Sequence, residues 1–211
     1  QQSVFFTVVL AGHGFVVASP DHVGGTAWDL VAPENRDKDF GALMAASLPA
    51  RQLDFTAVVD RMLARNTAEG DLFRDTINDR KIGASGHSFG AFTAVSAAAD
   101  RRIRAVVPMA PPSNPYDAGL LARFPPVMIH GATKDRTMAW DQQKLLYDAV
   151  DRDRYLVGMV DGGHFSYTDL CRLPIADIAA VFDLDVDYYM SDGCGEENLP
   201  SEEAHRLVGE K

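Results

Sequence analysis

Between residues 81 and 99 the chain changes pattern in an order that few folds can accommodate. Lys81-Ile82-Gly83-Ala84-Ser85 is short, apolar and strand-like. Gly86-His87-Ser88-Phe89-Gly90 follows, and Ala91 to Ala99 is rich in helix-forming residues. A strand that passes through so sharp a turn into a helix brings the two backbones close together, and glycines at 86 and 90 remove side chains that would collide there. The turn lifts the Ser88 hydroxyl clear of the sheet and makes it a candidate nucleophile. A Gly-x-Ser-x-Gly pattern alone arises by chance in many chains, so its weight rests on the flanking elements and on what lies downstream.

Two further segments supply partners. Pro126-Val127-Met128-Ile129-His130 reads as a buried strand that runs into Gly131-Ala132-Thr133-Lys134-Asp135-Arg136-Thr137. Tyr155 to Val160 reads as another, running into Asp161-Gly162-Gly163-His164. Asp135 and His164 therefore lie on loops just after strands. In an open parallel sheet such loops gather at the carboxyl edge, so residues 47 and 76 positions beyond the serine converge on it.

The three residue types divide one task. A serine hydroxyl attacks poorly at neutral pH until an imidazole takes its proton, and the imidazole needs a carboxylate on its other nitrogen to fix the tautomer and steady its charge. Ser88 is the candidate nucleophile, His164 the base and then acid, Asp135 the orienter. Asp135 also suits a plain Asx turn, and Asp161 is the nearest competing carboxylate, though it is too close to His164 in the chain to reach its ring easily. The glycine pair before His164 marks a backbone that passes tightly beside something. His87 is expected to pack at the turn. His22, His130 and His205 have no readable partner pattern, no histidine pair has metal-ligand spacing and there is no Cys/His cluster, so neither a metal nor a cofactor is expected.

Gly12 to His22, the turn at Gly86 to Gly90, the loop around Asp135-Arg136-Thr137 and Gly163-His164-Phe165-Ser166 together resemble the bacterial α/β-hydrolases related to platelet-activating factor acetylhydrolase and dienelactone hydrolase. The resemblance runs over nearly the whole chain, and the order Ser88, Asp135, His164 is that of the superfamily. It implies the α/β-hydrolase fold, a mostly parallel sheet with helices on both faces. It also implies a serine esterase acting on small-molecule carboxylic esters, with short acyl or oxidised-phospholipid-type esters the nearest substrates.

The resemblance sets expectations at both ends. Family members carry a strand and a His-Gly-x-Gly-like loop before the first helix, and that loop gives one backbone N–H to the oxyanion hole. His13-Gly14 looks like that loop, but Phe15 to Ser19 already reads as the next strand, and the roughly ten or more residues of a parallel crossover are absent between them. Val4 to Ala11 then aligns with the end of the first helix, although its β-branched and aromatic residues favour a strand. The upstream strand and one donor are expected to be missing, which leaves the Phe89 N–H as the remaining oxyanion donor. Pro200 to Val208 begins a helix with a serine cap that is expected to be cut short.

The remaining organisation fits one domain over residues 1–211. With 46% hydrophobic and 24% charged residues the chain can bury a sizeable core, and it holds no repeat or low-complexity linker. Its net charge of -10 disfavours nucleic acid and anionic membranes, and no apolar run approaches the roughly 18 residues of a membrane span. Asp39 to Asn66 is broadly helical with an interruption at Pro49, Arg104 to Met109 a buried strand, Asn114 to Phe124 a surface excursion, and Ala139 to Val150 a helix.

Cys171 and Cys194 are either a disulfide closing the C-terminal segment, which would place the protein in an oxidising, secreted or periplasmic setting, or two buried thiols of a cytoplasmic one. The resemblance, whose pattern also has a cysteine in this loop, favours the bridge. Trp28, Trp140, Phe89, Phe165, Met109 and Met138 are candidates for an apolar acyl pocket and equally for plain core. Three functions remain open: a carboxylesterase, a hydrolase of another acyl bond with the same triad, and a non-catalytic form of the fold.

Overall fold

A computed structural model of the protein describes residues 2–26, 29, 32, 34, 40–113, 116–174, 177, 180 and 186–210. Trp28, Asp39, Asn114 and Lys211 lie outside the described residues. The principal helices are α1 (Val4–Gly12), α2 (Phe40–Thr67), α3 (Phe89–Ala97), α4 (Ala118–Leu121), α5 (Trp140–Ala149), α6 (Val186–Tyr189) and α7 (Ser201–Glu210). Strands β1 (Ile82–His87), β2 (Ile103–Met109), β3 (Val127–Ala132) and β4 (Arg154–Met159) form one sheet in the order β1-β2-β3-β4, every pair parallel. Parallel neighbours require crossovers. Helix α3 joins β1 to β2 and α5 joins β3 to β4.

Side chains alternate across the sheet and build two apolar clusters. Ala84, Val106, Val127 and Ile129 pack with Val59 of α2, Ala94 and Val95 of α3, and Leu146 of α5. Met109, Ala132 and Met159, near the strands' carboxyl ends, pack with Tyr167, with Ala204 and Val208 of α7, and with Phe5 and Phe6 of α1. Helices thus cover both faces. This contact explains why a segment with strand propensity forms α1: Phe5 and Phe6 reach the second cluster from a helix. The Asp169 carboxylate accepts from the Val4 and Phe5 N–H groups at 2.5 and 3.1 Å, which satisfies two donors at the helix start.

Three local expectations are corrected. Phe15 to Ser19 is not a strand, since none of the four strands pairs with it; Phe15 is 57% exposed. Helix α2 runs through Pro49 without ending. A proline inside a helix costs about 3 kcal/mol, but Val59 is buried and Phe55 and Leu63 pack on the first cluster. Each such side chain returns about 1.5–3 kcal/mol. The segment ending at Phe124 is not wholly a surface excursion, because Leu120 and Phe124 are buried in that cluster. Among the described residues no helix is long and apolar enough to cross a membrane.

Candidate active site

Ser88 directly follows β1 and caps α3, with φ 56° and ψ -120°. A non-glycine residue in that region costs about 1–3 kcal/mol and persists only where its surroundings hold it. Here the Ser88 N–H donates to the Met109 carbonyl at 2.9 Å, and the Ser88 carbonyl accepts from Ala91 and Phe92 at 2.9 and 3.2 Å. The close approach of strand and helix is real at Gly86, where a Cβ would lie 2.3 Å from the Gly90 carbonyl oxygen. The matching expectation for Gly90 is corrected: a Cβ there would meet nothing within 4 Å. Gly90 is the backbone that Gly86 approaches.

The loops after β3 and β4 bring the other two residues to the serine. His164 Nε2 lies 2.9 Å from Ser88 Oγ, and His164 Nδ1 lies 2.9 Å from Asp135 Oδ2. Both partners are inside, with side-chain exposures of 4% for His164 and 0% for Asp135, whereas Ser88 is half-buried. A carboxylate on Nδ1 puts the proton there and leaves Nε2 as the acceptor for the serine proton. Asp161 instead pairs with Lys134 at 2.9 Å, and Asp117 caps α4 by accepting from the Leu120 N–H. The N–H of Phe89, at the start of α3, has no acceptor within its helix.

Several supporting contacts were not legible in the sequence. Asp135 Oδ1 accepts from the Met138 N–H at 2.6 Å, and its Oδ2 accepts from Gln143 Nε2 at 3.0 Å. Gln143 is fully buried on α5; its other amide atom accepts from the Ala132 N–H, and its Nε2 also donates to the Met138 carbonyl. Beside Ser88, His87 is buried with both ring nitrogens engaged. The Gln2 amide nitrogen donates to Nδ1 at 2.7 Å, so Nε2 carries the proton and donates to the His164 carbonyl at 2.9 Å. Burial, and then the neighbouring His164, hold the His87 pKa well below its ordinary value, so it stays neutral.

A third loop closes the site from outside the sheet. Asp192, fully buried, accepts through Oδ1 from the N–H groups of Arg136 and His164, both at 2.9 Å. Its Oδ2 accepts from the Thr137 N–H at 2.9 Å and hydroxyl at 2.7 Å. The tight passage expected at the glycine pair is here: a Cβ on Gly163 would lie 2.5 Å from the Asp192 carbonyl carbon. Cys171 and Cys194 form a disulfide, with S–S 2.01 Å and Cα–Cα 4.8 Å.

The remaining pocket candidates divide. Phe165 stacks edge-on against the His164 ring at 5.3 Å and meets Tyr188 edge-on at 5.4 Å. Met109 is buried in the second cluster, and Trp140 lies against β3 and β4, its ring where a Cβ on Gly131 or Gly158 would be. Phe89 lies under the Arg51 guanidinium at 4.9 Å, and Met138 is half-buried beside Asp135. The other histidines have structural partners: His22 bonds Asp54, His205 bonds the Thr168 carbonyl, and His130 is buried against Tyr167. Among the described residues, no three His, Cys, Asp or Glu side chains are grouped to hold a metal ion.

No protein-family profile matches the sequence, and no curated protein matches it. Solved structures do. Over 84% of this chain and 49% of the other, the fold is similar to a ferulic acid esterase from Streptomyces cinnamoneus, with a TM-score of 0.59 and 20% sequence identity. An α/β serine hydrolase without lid from Xanthomonas campestris matches over 55% of this chain and 48% of its own length, with a TM-score of 0.43 and 24% identity. The chain therefore spans about half the length of these structures. With its parallel sheet, helices on both faces and strand–turn–helix at residue 88, the chain has the α/β-hydrolase fold.

Proposed function

We propose that the protein is a serine hydrolase that cleaves carboxylic esters through Ser88, His164 and Asp135. The observation that carries this reading is the unbroken relay of two 2.9 Å contacts, Ser88 Oγ to His164 Nε2 and His164 Nδ1 to Asp135. His164 takes the serine proton as Oγ attacks the ester carbonyl carbon, and the Phe89 N–H stabilises the oxyanion. Collapse expels the alcohol, which leaves with the proton from His164. The acyl group stays on Ser88 until a water, deprotonated by His164, releases it as the acid.

The ferulic acid esterase likeness supports ester chemistry, and we propose short acyl or phospholipid-type esters as the substrates. The Cys171–Cys194 bridge supports an oxidising compartment. The test is Ser88→Ala, which should lower p-nitrophenyl ester hydrolysis by about 10⁴- to 10⁶-fold and abolish labelling by a fluorophosphonate. Retained labelling would exclude Ser88. Faster turnover of anilides or thioesters than of p-nitrophenyl esters would move the reaction to another acyl bond.

A further inference from the structure

The acid and the base of the proposed triad stand on loops from different strands; β3 and β4 pair as far as Ala132 and Met159, and the Lys134 N–H donates to the Gly162 carbonyl at 2.8 Å, after which each loop runs on to its own residue of the pair. Asp135 follows β3 and His164 follows β4. Their 2.9 Å contact depends on how two irregular segments settle against each other. One carboxylate touches both. Asp192 Oδ1 accepts at once from the N–H of Arg136, next to the acid, and from the N–H of His164 itself. Its Oδ2 takes the next N–H and the hydroxyl, both of Thr137.

Four donors on one buried side chain are what a carboxylate alone can accept; an amide would turn an N–H₂ group toward N–H groups. Among the described residues no Lys or Arg forms a salt bridge with Asp192, so these donors are what compensate a buried charge that is otherwise costly to hide. The backbones are shaped to bring it in. Gly193 has φ 133°, and a Cβ on it would lie 2.7 Å from the Ser166 nitrogen, while Gly163 leaves room for Asp192 itself.

We propose that Asp192 is a positioning residue of the site, which sets the separation of Asp135 and His164 by clamping both of their loops to one carboxylate. The proposal rests on the serine-hydrolase reading and adds a residue to it. Asp192 touches no reacting atom. It acts through the geometry of the acid–base pair, where a misplacement of about 1 Å can lower the rate about 10²-fold.

The experiment compares wild type, Asp192→Asn and Thr137→Val. The rate of Ser88 phosphonylation by a fluorophosphonate is measured beside the strongly downfield proton resonance of the His164 Nδ1–H···Asp135 bond. In Asp192→Asn that is folded by circular dichroism, phosphonylation should slow by about 10²-fold and the downfield resonance should shift or vanish. A residue important only for stability would lower the melting temperature and leave both readouts of the folded protein unchanged, and that result overturns the proposal. If Asp192→Asn does not fold, Thr137→Val decides. It removes one donor to the carboxylate and should slow phosphonylation by roughly threefold to tenfold; an unchanged rate overturns the proposal equally. Failure of the underlying reading looks different: wild type would then not be phosphonylated at Ser88 at all, and the role of Asp192 falls with it.

Discussion

At Gly86 and Gly90 two residues of one motif carry unequal burdens. A methyl group on Gly86 would sit 2.3 Å from the Gly90 carbonyl oxygen, and relief requires moving the start of α3 and Ser88 with it. Gly86→Ala should cost about 1–3 kcal/mol, read as a lower melting temperature. It should also slow Ser88 phosphonylation by about 10²-fold, since the hydroxyl leaves its place beside His164. Gly90→Ala meets open space on an ordinary helical residue and should stabilise the protein by up to about 1 kcal/mol. Equal losses from both substitutions would show that the motif is needed for another reason. Ser88, Asp135 and His164 were legible in the sequence because each follows a strand, and strand ends of a parallel sheet share an edge. Gln143 and Asp192 were not. A glutamine on a helix with charged neighbours reads as outer face, and an aspartate in a Gly-rich turn reads as a turn former. What makes each a buried partner is contact with Asp135 or with residues 28 and 56 positions away in the chain.

The segment from His164 to Cys194 is, where described, a set of short helical turns tied to other elements: the Thr168 carbonyl accepts from the His205 ring, the Asp169 carboxylate from the start of α1, and Asp192 from the loop after β3. The Cys171–Cys194 bridge closes 23 residues of it. By the loop-closure argument, a bridge of this span stabilises by about 3 kcal/mol, through restriction of the unfolded chain. Cys171→Ser with Cys194→Ser should therefore lower the melting temperature, as should reduction by a phosphine; a melting temperature indifferent to both would show that the bridge restrains nothing. Elements with strong periodicity were readable to within a residue or two: β1 to β4, α5 and the start of α7. Phe15 to Ser19 was misread because its apolar residues match a strand pattern, while a strand exists only through a neighbour. The helix through Pro49 was misread because local preference ignores the burial of Val59, about three turns further on.

Across the whole molecule, burial of neutral histidines ties stability to pH. Burial lowers the His130 pKa from 6.5 to about 4, and His87 is shifted in the same direction. Above the unfolded value neither state is protonated and His130 contributes nothing to pH dependence. Between about 6.5 and 4 the unfolded chain takes up a proton that the folded chain refuses, so stability falls with pH, by up to ~3 kcal/mol from His130 when the folded value is reached. The melting temperature should drop from about pH 7 to about pH 5, and His130→Asn should flatten that part of the curve. A variant with the wild-type slope would assign the dependence to other groups. The sheet order β1-β2-β3-β4 also has a consequence for synthesis. Each of β2, β3 and β4 pairs with the strand that precedes it in the chain, so when each of them emerges during synthesis its partner has already been made. Asp192, however, follows His164 by 28 residues. On the role proposed for Asp192, a nascent chain that already displays Ser88, Asp135 and His164 would still lack the carboxylate that spaces the last two, and its serine would stay latent until the turn at Asp192 emerges and docks.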